Sequence, residues 1–360
     1  MLRVAMISRS TLFKVKGGDT VQVMQTAKQL TQLGLMVDIK LASEVIQYDQ
    51  YHLLHFFNIT RPADILYHIE KTSVPFVVST ILIDYSEFDK QYRSGLGGKA
   101  LRFYSRDSNE YIKTLARALL RKDKLPGMSY IVNGQAKSID KVLKRARLLL
   151  PNSENEYRRL KREYDCVTRY SVIYNGVDCD TFTASDNVDR DDKLVVCAAR
   201  IEGIKNQLNL IKALNSTSYK LLIIGSPAAN QPTYYNACRK AAKNNVTFIG
   251  HIPQSELVAY YEKAKVHVLP SWFETTGLSS LEAAAMGCNV VITDKGDAKE
   301  YFGDHAFYCD PGSPASIYDA VVKAASQPLN NCLKNKVRND YTWRQAALKT
   351  FGSYQQILQS

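Results

Sequence analysis

Short apolar runs alternate with amphipathic stretches along the first half of the chain. The strand-like runs are Leu2–Ser8, Met36–Leu41, His52–Phe57, Phe76–Thr80 and Leu148–Pro151. A helix is predicted from about Asp19 to Leu33, because apolar residues recur there at helical spacing and Gly34 can end it. Ser153 is placed to cap a helix that begins at Glu154. Strands separated by helices in this way predict βαβ units and a parallel, doubly wound sheet.

The second half of the chain repeats the pattern. Its strand-like runs are Leu194–Ala199, Leu221–Gly225, Val246–Gly250, Val266–Pro270, Asn289–Thr293 and His305–Cys309. The polar segment Thr183–Asp192 lacks core-forming residues and indicates a surface loop near the junction of the halves. The predicted fold class is therefore α/β, with two Rossmann-like halves that face each other. The first half has no G-x-G-x-x-G after its first strand, which disfavours a dinucleotide site.

Length and composition fit a globular protein of two domains. A chain of 360 residues is too long for one ordinary core, and domains of roughly 150–200 residues are expected. No apolar stretch approaches the ~18 residues that a membrane span needs. The first residues, MLRVAMIS, lead directly into a strand, so we expect no signal peptide and a cytoplasmic protein. The seven cysteines show no paired spacing and are expected to be buried, reduced thiols.

The formal net charge of +12 calls for an acidic partner, which is a nucleic acid, a phospholipid or a phosphorylated small molecule. The stretch Lys99–Lys124 holds eight basic and three acidic residues. On one continuous helix its cations share a face, and its aromatic residues take the opposite face. These cations are Arg102, Arg106, Lys113, Arg117 and Arg121. Together with a second basic stretch, Lys137–Arg147, they are typical of either contact with an anionic inner membrane surface or a solvated face, whereas nucleic-acid binding is disfavoured.

Two carboxylates, Glu274 and Glu282, lie in the segment PSWFETTGLSSLEAAAMG. Glu274 falls in a predicted strand-to-helix loop, and Glu282 falls in the first turns of the helix that follows. The amides at the start of this helix are well placed to bind a phosphate group. They belong to Thr276, Gly277 and Leu278. An alternative remains for Glu282, because Ser-Ser-Leu-Glu, which ends at this residue, matches a capping box.

Two cations follow the first predicted strand of the second half. Arg200 lies at the carboxyl end of that strand, and Lys205 precedes the next helix. Ligands of open α/β sheets bind outside the carboxyl ends of the strands, so both cations are expected in the crevice with Glu274. A guanidinium group and an ammonium group are both suited to bind phosphate oxygens. The alternative for such a pair is a solvated loop.

Taken together, these motifs resemble the retaining glycosyltransferases of family 4, which adopt the GT-B fold. The resemblance covers nearly the full length of the chain, and each motif is weak alone but specific in this order and spacing. The motifs are Gly17-Gly18, Pro151-Asn152-Ser153-Glu154, Val172 to Asp178, Arg200 with Lys205, Glu274 to Glu282, and Gly287 with Val290-Val291. The resemblance implies transfer of a sugar from a nucleotide-diphosphate-sugar to a hydroxyl acceptor in surface polysaccharide (O-antigen, capsule or exopolysaccharide) or glycolipid biosynthesis. Alternatives on the same fold are a nucleotide-sugar epimerase and a glycan phosphorylase.

The resemblance also implies roles for individual residues. Arg200 and Lys205 would hold the diphosphate of the donor and stabilise the departing nucleotide. Glu274 would contact the donor sugar, and Glu282 would accept hydrogen bonds from the ribose hydroxyls. The donor-binding set further includes Thr276, Gly277, Leu278, Gly17, Gly18 and Gly225. No metal and no cofactor beyond the donor are expected, and Asp178-Cys179-Asp180 is interpreted as loop chemistry and not as a metal-binding D-x-D.

The family pattern implies domain boundaries as well. Residues 1–172 would bind the acceptor, residues 173–341 would bind the nucleotide-sugar, and residues 342–360 would form a helix that returns to the first domain. Periodicity alone leaves it open whether the predicted final helix, Trp343–Leu358, belongs to the second domain instead.

Three positions depart from the family pattern. Ile83 stands where many members carry a histidine. Thr275-Thr276 replaces a bulkier or glycine-bearing pair, and Lys295-Gly296-Asp297 replaces small residues that include two glycines. The last two departures lie at the expected donor pocket, so the identity of the sugar does not follow from the resemblance. His52 and His55 are expected to be structural and not catalytic, with side chains on opposite faces of their strand.

Overall fold

The structure, a computed structural model, describes residues 1–84, 87–88, 106–119, 126–185 and 189–359. The chain divides into two compact units. The first unit comprises Met1–Leu82, Ser94–Asn175 and Trp343–Ser360, and the second comprises Ile83–Arg93 and Gly176–Thr342. Each unit is built around one parallel sheet, so the predicted α/β class with two doubly wound halves is confirmed.

The sheet of the first unit has five strands in the order β2-β1-β3-β4-β5, all parallel. They are β1 (Arg3–Ser8), β2 (Met36–Leu41), β3 (Leu53–Phe57), β4 (Phe76–Ser79) and β5 (Leu148–Leu149). Every residue of β3 is buried, as expected for a parallel strand that is covered on both faces. The chain leaves β1 towards one edge of the sheet and later returns to its other side, so the topological switch point lies between β1 and β3.

Helices connect these strands. They are α1 (Gly18–Gln32), α2 (Pro62–Ile69), α3 (Arg106–Leu119), α4 (Met128–Arg145) and α5 (Glu154–Tyr164). The α1 helix ends before Gly34, which has a φ of 89°. The α5 helix is capped as predicted, since the Ser153 side chain accepts a hydrogen bond from the Glu156 amide. Gly134 has non-helical backbone angles and kinks α4.

The sheet of the second unit has six parallel strands in the order β11-β10-β9-β6-β7-β8. They are β6 (Asp191–Ala198), β7 (Lys220–Ile224), β8 (Val246–Ile249), β9 (Ala264–Leu269), β10 (Asn289–Thr293) and β11 (Phe307–Cys309). The switch point of this sheet lies between β6 and β9. The position matters because ligands of such sheets bind beyond the carboxyl ends of the strands at that point.

Seven helices accompany this sheet among the described residues. They are α6 (Gln207–Leu214), α7 (Pro232–Ala241), α8 (Gln254–Lys263), α9 (Leu278–Ala285), α10 (Ala298–Phe302), α11 (Pro314–Ser326) and α12 (Asn331–Asp340). Short 3₁₀ turns occur at Tyr48–Gln50, Gly203–Lys205 and Gly303–His305. The core of this unit is formed by apolar residues of β6, β7, β9, α6 and α11.

The final helix, Trp343–Gln359, belongs to the first unit. Its Tyr354 hydroxyl lies 2.6 Å from Nδ1 of His55, and both side chains are fully buried. The other ring nitrogen of His55 lies 2.8 Å from the Ser79 hydroxyl. Burial lowers the pKa of His55 to about 3, so this histidine is a neutral core residue.

The cysteines differ in their exposure. Five of the seven cysteines are buried, but Cys332 on α12 is exposed and Cys179 is half-buried, so the expectation that all are buried is wrong. Within the described residues, no helix has the length and the apolar character needed to cross a membrane.

Candidate active site

The connections that follow β6 and β9 carry the cations and the carboxylate that the sequence predicts at the crevice, and they bring Lys205 into contact with Glu274. Arg200 follows β6, and Lys205 ends the 3₁₀ turn Gly203–Lys205. The Lys205 ammonium donates to Oε1 of Glu274 at 2.6 Å. The Glu274 side chain is only 6% exposed and that of Lys205 is 25% exposed, so this ion pair is largely withdrawn from water.

The connections after β6 and β9 are also tied together through their backbones. The Trp272 amide donates to the Ile204 carbonyl at 2.8 Å. The Asn206 side chain donates to the Pro270 carbonyl at 3.1 Å and to the Pro311 carbonyl at 2.7 Å. Asn206 has a positive φ of 59°, which asparagine tolerates better than most residues. These bonds fix Lys205 relative to Glu274.

Arg200 has a partner that the sequence analysis did not identify. Its guanidinium lies 2.9 Å from Oε2 of Glu202, and the Arg200 side chain is 36% exposed. The carbonyl of Arg200 accepts a hydrogen bond from the Gln207 side chain at 2.9 Å. Both predicted phosphate-binding cations therefore face a carboxylate in the ligand-free chain.

The backbone of Glu274 is held against the connection that follows β10. Its amide donates to the Lys295 carbonyl at 3.3 Å, and its carbonyl accepts from the Asp297 amide at 2.8 Å. A Cβ on Gly296 would lie 2.2 Å from the Glu274 carbonyl oxygen, and Gly296 has a φ of 88°. Only glycine fits there, so the segment that replaces the family pattern keeps the glycine that Glu274 requires.

The α9 helix begins directly at the predicted phosphate-binding turn. Leu278 is its first residue, and Gly277 is its N-cap with a φ of 74°. A Cβ on Gly277 would lie 2.9 Å from Cδ1 of Ile292. The hydroxyl of Thr276 lies 3.2 Å from that of Tyr301. The first amides of a helix have no acceptor within the helix, so this turn can bind an anion.

The capping-box interpretation of Glu282 is wrong. The N-cap of α9 is Gly277, two residues before the serine that a capping box requires, and no side chain caps the helix. Glu282 is instead buried, and Nε2 of Gln254 donates to its Oε1 at 2.7 Å. Burial raises the pKa of Glu282 to about 8.

Gly225 has a structural explanation in the ligand-free chain. Its φ is 144°, and a Cβ there would lie 2.2 Å from the carbonyl oxygen of Ala199. The glycine therefore lets the carboxyl end of β7 pass close to that of β6, next to Arg200.

In the first unit, Gly17 and Gly18 form the start of α1. Gly17 is the N-cap, and its amide donates to the Thr20 hydroxyl at 3.1 Å. The loop before it is held by Arg9, whose guanidinium donates to both oxygens of Asp19, at 2.6 and 3.0 Å, and to the Val15 carbonyl at 2.7 Å. Sequence reasoning missed Arg9, although its position directly after β1 was a usable signal.

The connection after β4 contains Ile83, which stands at the position of the family histidine. Two residues earlier, the buried Ile81 has a positive φ of 44°, which is rare for a β-branched residue. The two residues that flank Ile81 are held by the fully buried carboxylate of Glu156. This carboxylate accepts hydrogen bonds from the Thr80 hydroxyl and from the Leu82 amide. This carboxylate, which the sequence analysis did not single out, fixes the turn.

Other sequence interpretations can be placed briefly. His52 is exposed and accepts a hydrogen bond from the Arg3 amide at 3.1 Å. The Asp178 carboxylate accepts from the amides of Asp180 and Thr181, which fits the interpretation of that D-x-D as loop chemistry. Residues 106–119 of the basic stretch Lys99–Lys124 form helix α3, whereas Arg102 and Arg121 of the predicted basic face lie outside the described residues.

Two further observations concern binding sites. Among the described residues, no group of three or more His, Cys, Asp or Glu side chains is arranged to hold a metal ion. A cavity of about 560 Å³ lies between β11 and α11, lined by residues that include Tyr308, Asp319 and Lys323. None of the predicted site residues lines it.

Comparison with known proteins gives a family match over the second half of the chain. Residues 179–341 match the family model described as glycosyl transferases group 1. An uncharacterized glycosyltransferase of Methanocaldococcus jannaschii is 27% identical over 52% of this chain and 54% of its own length. A glycogen synthase of Mycobacterium tuberculosis is 27% identical over 51% of this chain and 48% of its own length. The chain thus spans about half the length of these curated relatives.

Other similarities extend over most of the chain. A D-inositol 3-phosphate glycosyltransferase of Corynebacterium aurimucosum is 26% identical over 82% of this chain and 80% of its own length. The solved structure of sucrose-phosphate synthase from Thermosynechococcus elongatus is similar with a TM-score of 0.77, 16% identity and full coverage of both chains. That of Anabaena HepE in complex with UDP-glucose has a TM-score of 0.69, 14% identity, and coverage of 99% of this chain and 100% of its own. At these identities the structures show the fold, and the GT-B fold predicted from the sequence is confirmed.

Proposed function

We propose that this chain is a retaining glycosyltransferase that uses a nucleotide-diphosphate-sugar, and the match of residues 179–341 to the family model described as glycosyl transferases group 1 supports this. The observation that carries the proposal is the site at the switch point of the second sheet. There Lys205 and Glu274 form a buried ion pair, with Arg200 on the same connection as the lysine. A site with two cations and the start of a helix is suited to a diphosphate.

In this proposal, Arg200 and Lys205 bind the diphosphate and stabilise the charge that develops as the nucleotide leaves. Both cations are paired with carboxylates in the ligand-free chain, so a diphosphate would take over part of their charge. Glu274 then becomes available to hydroxyl groups of the donor sugar. The helix start at Gly277 and Leu278, with Thr276, adds amide donors for a phosphate oxygen.

The remaining assigned residues complete the donor site. Glu282 accepts hydrogen bonds from the ribose hydroxyls, and Gly225 leaves room for the nucleotide beside the end of β6. Gly17 and Gly18 allow backbone of the first unit to approach the phosphate. The fold neighbour solved with UDP-glucose supports a nucleotide-sugar as donor, which needs no further cofactor or metal in this mechanism.

For domain roles, we propose that residues 1–172 bind the acceptor and that residues 173–341 bind the donor. The final segment, 342–360, completes the acceptor domain. The acceptor is a hydroxyl group of a growing surface polysaccharide or of a lipid-linked saccharide. Relatives named glycogen synthase and D-inositol 3-phosphate glycosyltransferase support a hydroxyl-bearing acceptor.

A lipid-linked acceptor would place the protein on the inner face of the membrane. Before its kink, α4 exposes Met128 to 72% and Val132 to 77%. After the kink the same helix exposes Lys137 and Lys144. Exposed apolar residues next to cations favour an anionic lipid surface as a partner.

The donor is identified by thermal unfolding in the presence of UDP, GDP, ADP and dTDP sugars. A ligand at about 100 times its dissociation constant stabilises the folded chain by about 2.7 kcal/mol. One of the four should therefore raise the melting temperature, and the shift should shrink in Arg200→Gln and Lys205→Gln. Each variant is compared with its own ligand-free form, because loss of Lys205 leaves Glu274 without its cation.

Lys212→Gln, an exposed change on α6, serves as the control and should keep the full shift. With donor and acceptor present, turnover by Arg200→Gln and by Lys205→Gln should also fall by a factor on the order of 10². A chain that responds to none of the four sugars is not a nucleotide-sugar enzyme. Turnover without any acceptor would instead indicate an epimerase.

A further inference from the structure

Residues 87–88 contact the second unit at the edge of the proposed donor site. Both carboxylate oxygens of Glu87 lie 3.0 Å from the Lys295 ammonium. The ring of Phe88 rests on Gly203, because a Cβ on that glycine would lie 2.5 Å from Cζ of the ring. The segment Ile83–Arg93 accordingly belongs to the second unit by its contacts.

The two contact points lie on the connections that carry Lys205 and Glu274. Gly203 begins the 3₁₀ turn that ends at Lys205. The Lys295 carbonyl accepts the hydrogen bond of the Glu274 amide. Phe88 therefore contacts the turn that ends at Lys205, and Glu87 pairs with the residue whose carbonyl accepts from the Glu274 amide.

The Glu87–Lys295 pair is too exposed to be important mainly for stability. The two side chains are 37% and 38% exposed, and ion pairs of this kind contribute little to folding. The hydrogen bond that the Lys295 ammonium donates to Glu87 is the main cause that raises the pKa of Lys295, which therefore stays charged. A lasting charge pair with little effect on stability is suited to position a segment.

We propose that Glu87 and Lys295 are positioning residues that hold Glu87 and Phe88 beside the connections of Lys205 and Glu274, so that these two side chains form a wall of the donor site. The proposal rests on the proposed nucleotide-sugar function. The Glu87–Lys295 pair also connects two departures from the family pattern. Lys295 stands where small residues are usual, and Glu87 follows Ile83, which stands where many members carry a histidine. In this protein the pair determines how tightly the donor is held.

The test is a charge exchange. Glu87→Lys and Lys295→Glu each place like charges at the contact, so each should push the segment away from Gly203. Each single variant is expected to weaken binding of the nucleotide-sugar about tenfold, measured by titration calorimetry, with the KM for the acceptor unchanged. The double variant restores opposite charges and should return donor affinity to within about threefold of the wild type.

Two further variants separate positioning from a general effect of charge or folding. Lys299→Glu reverses a charge near the same connection, where the ammonium lies 3.8 Å from Asp294, and should leave donor affinity unchanged. Phe88→Ala removes the ring from Gly203 without a change in charge and should weaken donor binding. The melting temperatures of all ligand-free variants should stay close to that of the wild type.

Several results would overturn the proposal. Single variants that bind the donor as tightly as the wild type, or more tightly, would show that the segment is no wall of the site. A double variant as weak as the single ones would show that the pairing is irrelevant. If the wild type binds no nucleotide-sugar at all, the proposed function fails and this inference fails with it. If the wild type binds and the variants bind equally well, only the inference fails.

Discussion

Glu282 carries a carboxyl group in surroundings that oppose its charge. It is buried, and its one described hydrogen bond comes from the neutral amide of Gln254. Burial raises its pKa from 4.5 to about 8. In the ligand-free chain at neutral pH the group is therefore mostly protonated, and its ionisation opposes folding.

The direction of the resulting pH dependence follows from this shift. Below pH 4.5 Glu282 is protonated in both folded and unfolded chains and costs the fold nothing. Between pH 4.5 and about 8 the unfolded chain ionises while the folded chain does not, so stability falls as pH rises. Glu282→Gln should remove this loss, and its free energy of unfolding relative to the wild type should increase from pH 5 to pH 8. Urea unfolding from pH 5 to pH 8 measures this difference in the free energy of unfolding, with the exposed change Glu256→Gln as the control. Parallel curves for Glu282→Gln and the wild type would contradict a raised pKa.

The same variant tests the ribose role. The glutamine can still accept one hydrogen bond but has no charge, so it should bind the donor more weakly than the ionised wild type above pH 8. At pH 6, where the wild type is also neutral, the difference should be smaller. Equal donor affinities at both pH values would leave Glu282 with a structural role.

The residues that the sequence could predict are those that follow strands. Arg200, Lys205 and Glu274 were placed together because carboxyl ends of neighbouring parallel strands meet at one edge. Their partners were not predictable in the same way. Glu202 lies on the connection after β6 and Gln254 begins α8 directly after a loop, so their positions depend on loop geometry that no periodicity in the sequence encodes.

At the scale of elements, the turn after β4 is held by a buried carboxylate. Glu156 is fully buried in the first turn of α5, and its carboxylate accepts from Leu82 at 2.9 Å and from the Asn152 amide at 3.0 Å. Together with the Thr80 hydroxyl, these bonds join the ends of β4 and β5. They also compensate for the unfavourable backbone of Ile81.

Removal of this carboxylate should therefore destabilise the fold strongly. Glu156→Ala leaves three buried donors without their acceptor, and we expect a loss of roughly 3 kcal/mol or more in the free energy of unfolding. Denaturant titration measures the loss. Glu163→Gln, an exposed change on the same helix, should stay within about 0.5 kcal/mol of the wild type. A loss of similar size in both variants would show that the Glu156 contacts are not special.

The sequence predicted the strands well and their ends less well. Apolar runs mark where a strand is buried, but they do not mark where its backbone pairing ends. The run Leu148–Pro151, for example, contributes only the two residues of β5. Beyond them the chain turns to cap α5, and that requirement is stronger than the tendency to extend the strand.

At the scale of the whole molecule, the net charge of +12 remains the least explained property. The cations of the proposed active site are compensated by carboxylates, so they do not account for it. Basic residues on and near α3 and α4 contribute much of the surplus. The exposed apolar residues of α4, together with its exposed lysines Lys137 and Lys144, support the proposal of an anionic membrane as the partner.

If this interpretation is right, the protein should sediment with vesicles that contain anionic lipid and not with neutral ones. Binding should fall as salt is raised, because charges are screened beyond about 8 Å at physiological ionic strength. Replacing Arg106, Lys113 and Arg117 with glutamine should weaken binding by about 1 kcal/mol per charge. The matched control replaces Lys212, Lys240 and Lys263, three exposed lysines of the second unit, and should bind nearly as the wild type does. If the wild type does not bind anionic vesicles at low salt, a soluble acceptor becomes a better hypothesis than a lipid-linked one.

The position of the final helix has a consequence for exchanging halves between related enzymes. Because Trp343–Ser360 belongs to the first unit, that unit is assembled from separate parts of the chain. A chimera joined only after Asn175 would combine the body of one protein with the last helix of another. His55 would then come from one parent protein and the residue at the position of Tyr354 from the other, so their buried contact could be lost. A second junction near Thr342 avoids this mismatch, because all parts of the first unit then come from one protein. The second unit is therefore best exchanged as an internal segment and not together with the final helix.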